Sequence, residues 1–386
     1  MNILQRLVAL TTLIFLCFHV SAQSEGNSHS TTHTTSLQHL TTIKGSISPK
    51  SVVYSGNGYF FAQNMMYQHT VTVYNENFEL VKTLSDKVDL AQYGQSTKSN
   101  LCKGSPVEVA FSPDGKYAWV SNYKMYGKGF DNPATDNSPI RSTYDSSFVY
   151  KINTRNLQIE QIIHVGCVPK YVATTPDGKY VLVSNWSSGD LSVIDTKKDQ
   201  EIRRIQLGRY PRGIVVDAKS QYAYLALMGE GNIACLNLQT WALDWKVRVG
   251  KTPRHLCLEP TGKYLYISLS REGKIAKFDL QSKKVLAKVA TGDAARSMVI
   301  TPDGEAIYSV NYKDDTFVKV NASTLKVLET HETNDKPIGI TFDPDNGQVW
   351  VACYSGSLMV YKDKDWKPSP VSRIASTNWQ PILFPN

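Results

Sequence analysis

Downstream of Pro169 the chain alternates apolar and polar residues in short runs, each closed by a turn rich in Gly, Pro, Asp or Asn. Residues 171–175 read as a strand, Pro176-Asp177-Gly178-Lys179 as a turn, and residues 180–184, 191–195 and 202–207 as three further strands. The period of two and the turn chemistry agree. An Asp-Gly pair recurs at Asp114-Gly115 and Asp303-Gly304, with Thr261-Gly262 and Asn346-Gly347 as variants. Gly is expected there because a tight strand connection needs a positive φ.

The four-strand pattern repeats with a fixed period. Pro169, Pro211, Pro253, Ala295 and Pro337 anchor units 42 residues apart. Pro106 and Pro49 extend the series upstream once insertions of 21 and 15 residues are allowed, which makes seven units. Strand-rich units of this length bury their two apolar faces only against neighbours, so the expected fold is all-β, a seven-bladed β-propeller of four-stranded antiparallel blades. The third residue after each anchor is apolar in every unit (Val52, Val109, Val172, Ile214, Leu256, Met298, Ile340), a column that belongs between blades. The last unit supplies three clear strands, and its fourth comes either from residues 40–43 or from residues 371–376. The N-terminal segment is favoured, because it precedes the first anchor as a unit's fourth strand should.

Composition adds an export reading. Residues 1–22 carry Arg6, an apolar run over residues 7–20 and the small-residue site Val20-Ser21-Ala22, the layout of a signal peptide. The expected organisation is therefore a leader over residues 1–22, a flexible Ser/Thr/His-rich segment over 23–42, a propeller over 43–378 with insertions near 86–100 and 124–145, and a tail over 379–386. The expected location is periplasmic or extracellular, with no membrane span. Five cysteines remain past the leader, an odd and scattered set that makes a poor disulfide framework, although Cys102 and Cys167 fall in equivalent loops. No Cys-x-x-Cys-His occurs, and no metal or cofactor is expected.

Two phrases carry a family resemblance. Pro113-Asp114-Gly115-Lys116-Tyr117 with Val120-Ser121-Asn122-Tyr123, and Pro176-Asp177-Gly178-Lys179-Tyr180 with Val183-Ser184-Asn185-Trp186, resemble the YVTN-repeat family of seven-bladed propellers, within the lactonase-like propeller superfamily. The resemblance runs over nearly the whole chain after residue 43. It implies an exported or surface-associated propeller, often a binding protein, and carries no active site across. The fourth unit departs from it, with Asp217-Ala218-Lys219-Ser220 at the turn and Ala226-Leu227-Met228 after it.

Symmetry turns sequence columns into rings around the axis. The residue after each anchor is Lys50, Val107, Lys170, Arg212, Arg254, Arg296 or Ile338, five cations in seven places. They should converge at the channel mouth, where they either bind an anion or bond loop carbonyls and acids of the next blade. The loop after the second strand contributes Tyr123, Trp186, Tyr312 and Tyr354, which either stack on a ligand or cap the blade tops. Both insertions are expected over this same face, the longer one aromatic through Tyr126, Phe130 and Tyr144. Glu108 and His255, two places after their anchors, are the acid and base nominated near the mouth.

With 42 Lys and Arg against 34 Asp and Glu, the net charge is +8, which favours anionic partners. The leading expectation is a monomeric binding protein for an anionic small molecule, polysaccharide or surface protein. A lactonase-like hydrolase acting through Glu108 or His255 and a protein-interaction scaffold are the alternatives. Nucleic acid lacks any base-reading motif here.

Overall fold

The structure, a computed structural model, describes residues 35–368. It contains seven four-stranded antiparallel sheets, one per sequence unit. Their innermost strands begin at the anchors: Pro49–Tyr54, Pro106–Phe111, Pro169–Thr174, Pro211–Val216, Pro253–Leu258, Ala295–Ile300 and Pro337–Asp343. These define blades 1 to 7, and each innermost strand contacts its neighbours around the ring. The column predicted to lie between blades is buried throughout, from 1% exposure at Val52 to 7% at Ile340.

Ring closure comes from the N-terminal side. Strand Leu37–Lys44 pairs with Ser357–Asp363 as the outermost strand of blade 7, in a register running from Leu37 opposite Asp363 to Lys44 opposite Ser357. The propeller thus begins at Leu37 and not at residue 43. Its first strand reads as a polar leader because an outermost strand buries little: only Leu37 is fully covered. Closure covers the edge that Ser357–Asp363 would otherwise present. Residues 371–376 and the leader over residues 1–22 lie outside the described residues.

The turn glycines take the expected conformation, with φ of 69° at Gly115 and 70° at Gly178. In the divergent fourth unit Ser220 takes the same role at φ 55°. The blade interfaces hold the large aromatics. Trp350 stacks on Phe60 with ring centroids 4.0 Å apart, joining blade 7 to blade 1.

The two insertions part company. The first forms a small hairpin, Lys87–Asp89 with Leu101–Lys103, spanned by the 3-10 turn Leu90–Tyr93. It does not cover the mouth. Val88, Leu90 and Cys102 join the core between blades 1 and 2, and the Tyr93 hydroxyl reaches the Ile159 carbonyl of blade 2's outer strand. Its apolar residues pack on the flank, where the interface between blades 1 and 2 offers apolar surface. The second insertion, between Tyr117–Asn122 and Ser147–Asn153, bridges to the first through Lys103 and Tyr126 and then crosses the top face. Cys102 and Cys167 are free and buried, so the pairing suggested by their equivalent loops does not form.

Candidate functional site: a cationic channel mouth

The cations reach the axis through a repeated backbone irregularity. In every blade the pairing of the innermost strand slips just after the anchor, between Pro49 and Ser51 in blade 1 and between Pro337 and Gly339 in blade 7. A bulge leaves one residue without a partner and re-aims its side chain. In blades 1, 2, 3 and 7 the unpaired residue is the one after the anchor, and in blades 4 to 6 the residue following it is unpaired as well. From blade 3 onward the residue before the anchor is also left-handed without being glycine: Val168, Tyr210, Thr252, Ala294 and Lys336 have φ of 53–59°. Such strain at a repeated position marks a conformation the surrounding fold enforces.

Lys50, Lys170, Arg212, Arg254 and Arg296 line one cavity of about 400 Å³, together with Tyr123, Trp186, Tyr312 and Tyr354. All nine mouth residues nominated from the sequence are therefore brought together. Lys170 is 2% exposed, Arg212 7%, and Lys50 and Arg254 8% each. Among the described residues, the side chains of Lys50, Arg212 and Arg254 make no hydrogen bond or ion pair, and Arg296 leaves Nε buried and unpartnered. Arg296 instead lies 3.5 Å from the Tyr312 ring centroid. The expectation that loop carbonyls and neighbouring acids absorb these charges holds for Lys170 alone.

Its partner is Asp136, which the second insertion lowers into the mouth. The Asp136 backbone N–H donates to the Tyr123 hydroxyl at 3.0 Å, and Trp186 Nε1 donates to the Asp136 carbonyl at 3.2 Å. Lys170 Nζ also sits 4.3 Å from the Tyr123 ring centroid. Two of the four aromatics thus hold the insertion while facing the cavity. Trp186 stacks on Tyr210 at 4.6 Å. Asn122, Asn185 and Asn311 are structural: Asn122 accepts from the Ser105 N–H at 3.0 Å, Asn185 donates to Asp190 at 2.7 Å, and Asn311 donates to the Thr291 carbonyl at 2.9 Å.

Four buried cations and the half-buried Arg296 against one acid shift their own proton affinities. Burial, with Arg212 and Arg254 adding repulsion against the pull of Asp136, brings Lys170 down to about 7. Burial and Arg212 bring Arg296 down to about 10, and Lys50 and Arg254 are pushed well below their ordinary values for the same reasons. Burial would raise Asp136, but Lys170 and Tyr123 hold it well below the usual carboxylate range.

Glu108 and His255 do not line this mouth. They face a second cavity of about 300 Å³ one tier down the channel. Burial lifts Glu108 to about 7 against the pull of Arg212 and Lys50. Burial, Arg212 and Arg254 drop His255 to about 3, so the imidazole is neutral at physiological pH. Tyr171 Oη lies 3.4 Å from His255 Nε2, reaching from blade 3 to blade 5 across Gly213, where an added Cβ would sit 2.7 Å from the Arg254 carbonyl. Asp136 sits in an insertion with no repeat partner and has no signature in the repeat pattern.

These features define a seven-bladed β-propeller with a cationic mouth. Residues 60–207 match the family described as a seven-bladed β-propeller lactonase, and residues 255–344 match the cytochrome D1 heme domain family. A solved structure titled Kuenenia stuttgartiensis Hydrazine Synthase is similar at 16% identity and a TM-score of 0.65, covering 82% of this chain and 96% of that one. That likeness establishes the fold alone. No curated protein matches the sequence.

Proposed function

We propose that this chain is an exported propeller of the YVTN type, a binding protein that takes an anionic ligand at its channel mouth. The observation that carries this is the set of three buried cations, Lys50, Arg212 and Arg254, with the half-buried Arg296 beside them, none with an internal hydrogen bond or ion pair among the described residues. A buried charge costs several kcal/mol unless something compensates it. A bound carboxylate, phosphate or sulfate compensates it and accepts bidentate guanidinium contacts. The test is thermal stability with and without sugar phosphates, uronic acids and inorganic phosphate. An anion at 100 times its dissociation constant adds roughly 2.7 kcal/mol. The Arg212→Ala, Arg254→Ala, Arg296→Ala triple variant is expected to fold and lose that gain; a triple variant that keeps it refutes the reading.

A hydrolase reading draws on the lactonase family match, which spans Glu108. Glu108 and His255 share the lower chamber, but neutral His255, depressed to about 3, is a weak base. Turnover of a lactone that disappears in Glu108→Gln and persists in Arg254→Ala would support it. The haem in the second family's description finds neither histidine nor cysteine in the mouth lining.

A further inference from the structure

The channel changes character with depth. Below the cationic collar lies a ring drawn from the next position of each innermost strand. It is bulky on one side, where Glu108, Tyr171 and His255 project, and small on the other, where Ser51, Ser297 and Gly339 stand. The Tyr171 and His255 rings meet at 5.3 Å and block the lumen beside blade 4. The open side therefore runs down blades 6, 7 and 1. Gly339 is required there for packing, since an added Cβ would fall 2.8 Å from Ser51 Cα. Above this passage the mouth turns apolar, through Met65 and Ile338. Below it the chamber wall is mostly aliphatic, including Val53, Val215 and Val299.

Collar and chamber are joined by covalent neighbours: Lys50 and Ser51, Arg296 and Ser297, Ile338 and Gly339 face one cavity each. A strand advances only about 3.3 Å per residue, so a ligand group held at the collar stands at the chamber entrance. A second anionic group carried downward would meet Glu108, which forms no ion pair among the described residues. An uncharged tail would meet aliphatic carbon.

We propose that the ligand is an amphiphilic anion, with one compact carboxylate, phosphate or sulfate head at the collar and an uncharged, largely apolar tail passing Ser51, Ser297 and Gly339 into the chamber. This rests on the anion-binding reading above and narrows it away from hydrophilic polyanions. The raised proton affinity of Glu108 is consistent, because that carboxyl becomes neutral readily when an apolar tail lies beside it.

The experiment is calorimetric titration of the full chain with a homologous series of alkyl phosphates and alkyl carboxylates from two to six carbons, beside citrate and oligogalacturonate. Affinity is expected to rise roughly fourfold per methylene, the worth of burying one CH₂. Val299→Phe, which narrows the chamber from blade 6, is expected to remove that rise while leaving ethyl phosphate binding unchanged. Val215→Phe narrows it from blade 4 and serves where the first variant does not fold. A flat series, or citrate or oligogalacturonate binding more tightly than hexyl phosphate, overturns the tail and leaves the anionic mouth standing. Binding of no anion at all overturns both.

Discussion

Glu108→Gln tests the electrostatics of the channel directly. In the folded chain the Glu108 carboxyl titrates at about 7 against an ordinary 4.5, because burial outweighs Arg212 and Lys50. A raised folded value means the native state holds its proton longer than the unfolded chain, so Glu108 lowers stability as pH climbs from about 4.5 to about 7. At about 1.36 kcal/mol per pH unit the loss is at most about 3 kcal/mol, reduced where solvent reaches the channel and screens the charge. Asp86, also lifted to about 7 by burial, acts in the same direction and window. Lys170, depressed to about 7, acts with the opposite sign above neutrality, where losing its proton relieves the collar. Wild-type stability should therefore fall between pH 5 and 7 and recover in part from 7 toward 10. Urea unfolding at half-unit pH intervals, read by tryptophan fluorescence, checks this. Glu108→Gln should lose roughly half of the descending limb, Asp86→Asn the other half, and the double variant nearly all of it. An unchanged descending limb in Glu108→Gln would show that its carboxyl titrates normally and that the channel is better solvated than its lining implies.

Three further outcomes follow from the packing. Asp136→Asn strips Lys170 of its carboxylate while leaving it buried, so thermal melts should show about 1–3 kcal/mol of lost stability, restored by millimolar phosphate; a variant indifferent to phosphate would contradict the shared site. Gly339→Ala places a methyl 2.8 Å from Ser51 Cα and should cost more than 2 kcal/mol, whereas Gly262→Ala meets nothing within 4 Å and should cost only about 1 kcal/mol for its positive φ. Removing strand Leu37–Lys44 leaves the Ser357–Asp363 edge of blade 7 unpaired, and light scattering should show aggregation that a chain starting at residue 35 lacks.

The period of 42 made most of this fold legible, since each column of the repeat is one ring in space and Lys50, Lys170, Arg212, Arg254 and Arg296 needed only counting. Depth along the axis was not legible. The residue after the anchor and the one following it look like neighbours in one ring, and only the three-dimensional structure assigns Arg254 to the mouth and His255 to the chamber below. A period-two pattern cannot announce a one-residue slip in pairing. The closing strand was partly hidden for a different reason: residues such as Thr41 and Thr42 on the rim of a blade bury too little to leave an apolar signature. Asp136 escaped altogether, because an insertion present in one unit of seven has no column to belong to.

The same asymmetry explains how the collar persists. Seven-fold repetition alone would place a cation in every blade, yet blade 2 carries Val107 and blade 7 Ile338, both fully buried. The five charges form an interrupted arc, closed on the blade 3 side by Asp136 and bordered at Ile338 by apolar surface. Burial, with repulsion within that arc added to it, drives Arg254 and Lys50 well below their ordinary proton affinities, and apolar residues at all seven positions would relieve both. The proposed anion would account for an arrangement that lowers the stability of the ligand-free ring, since mass action returns the deficit only when such a ligand is bound.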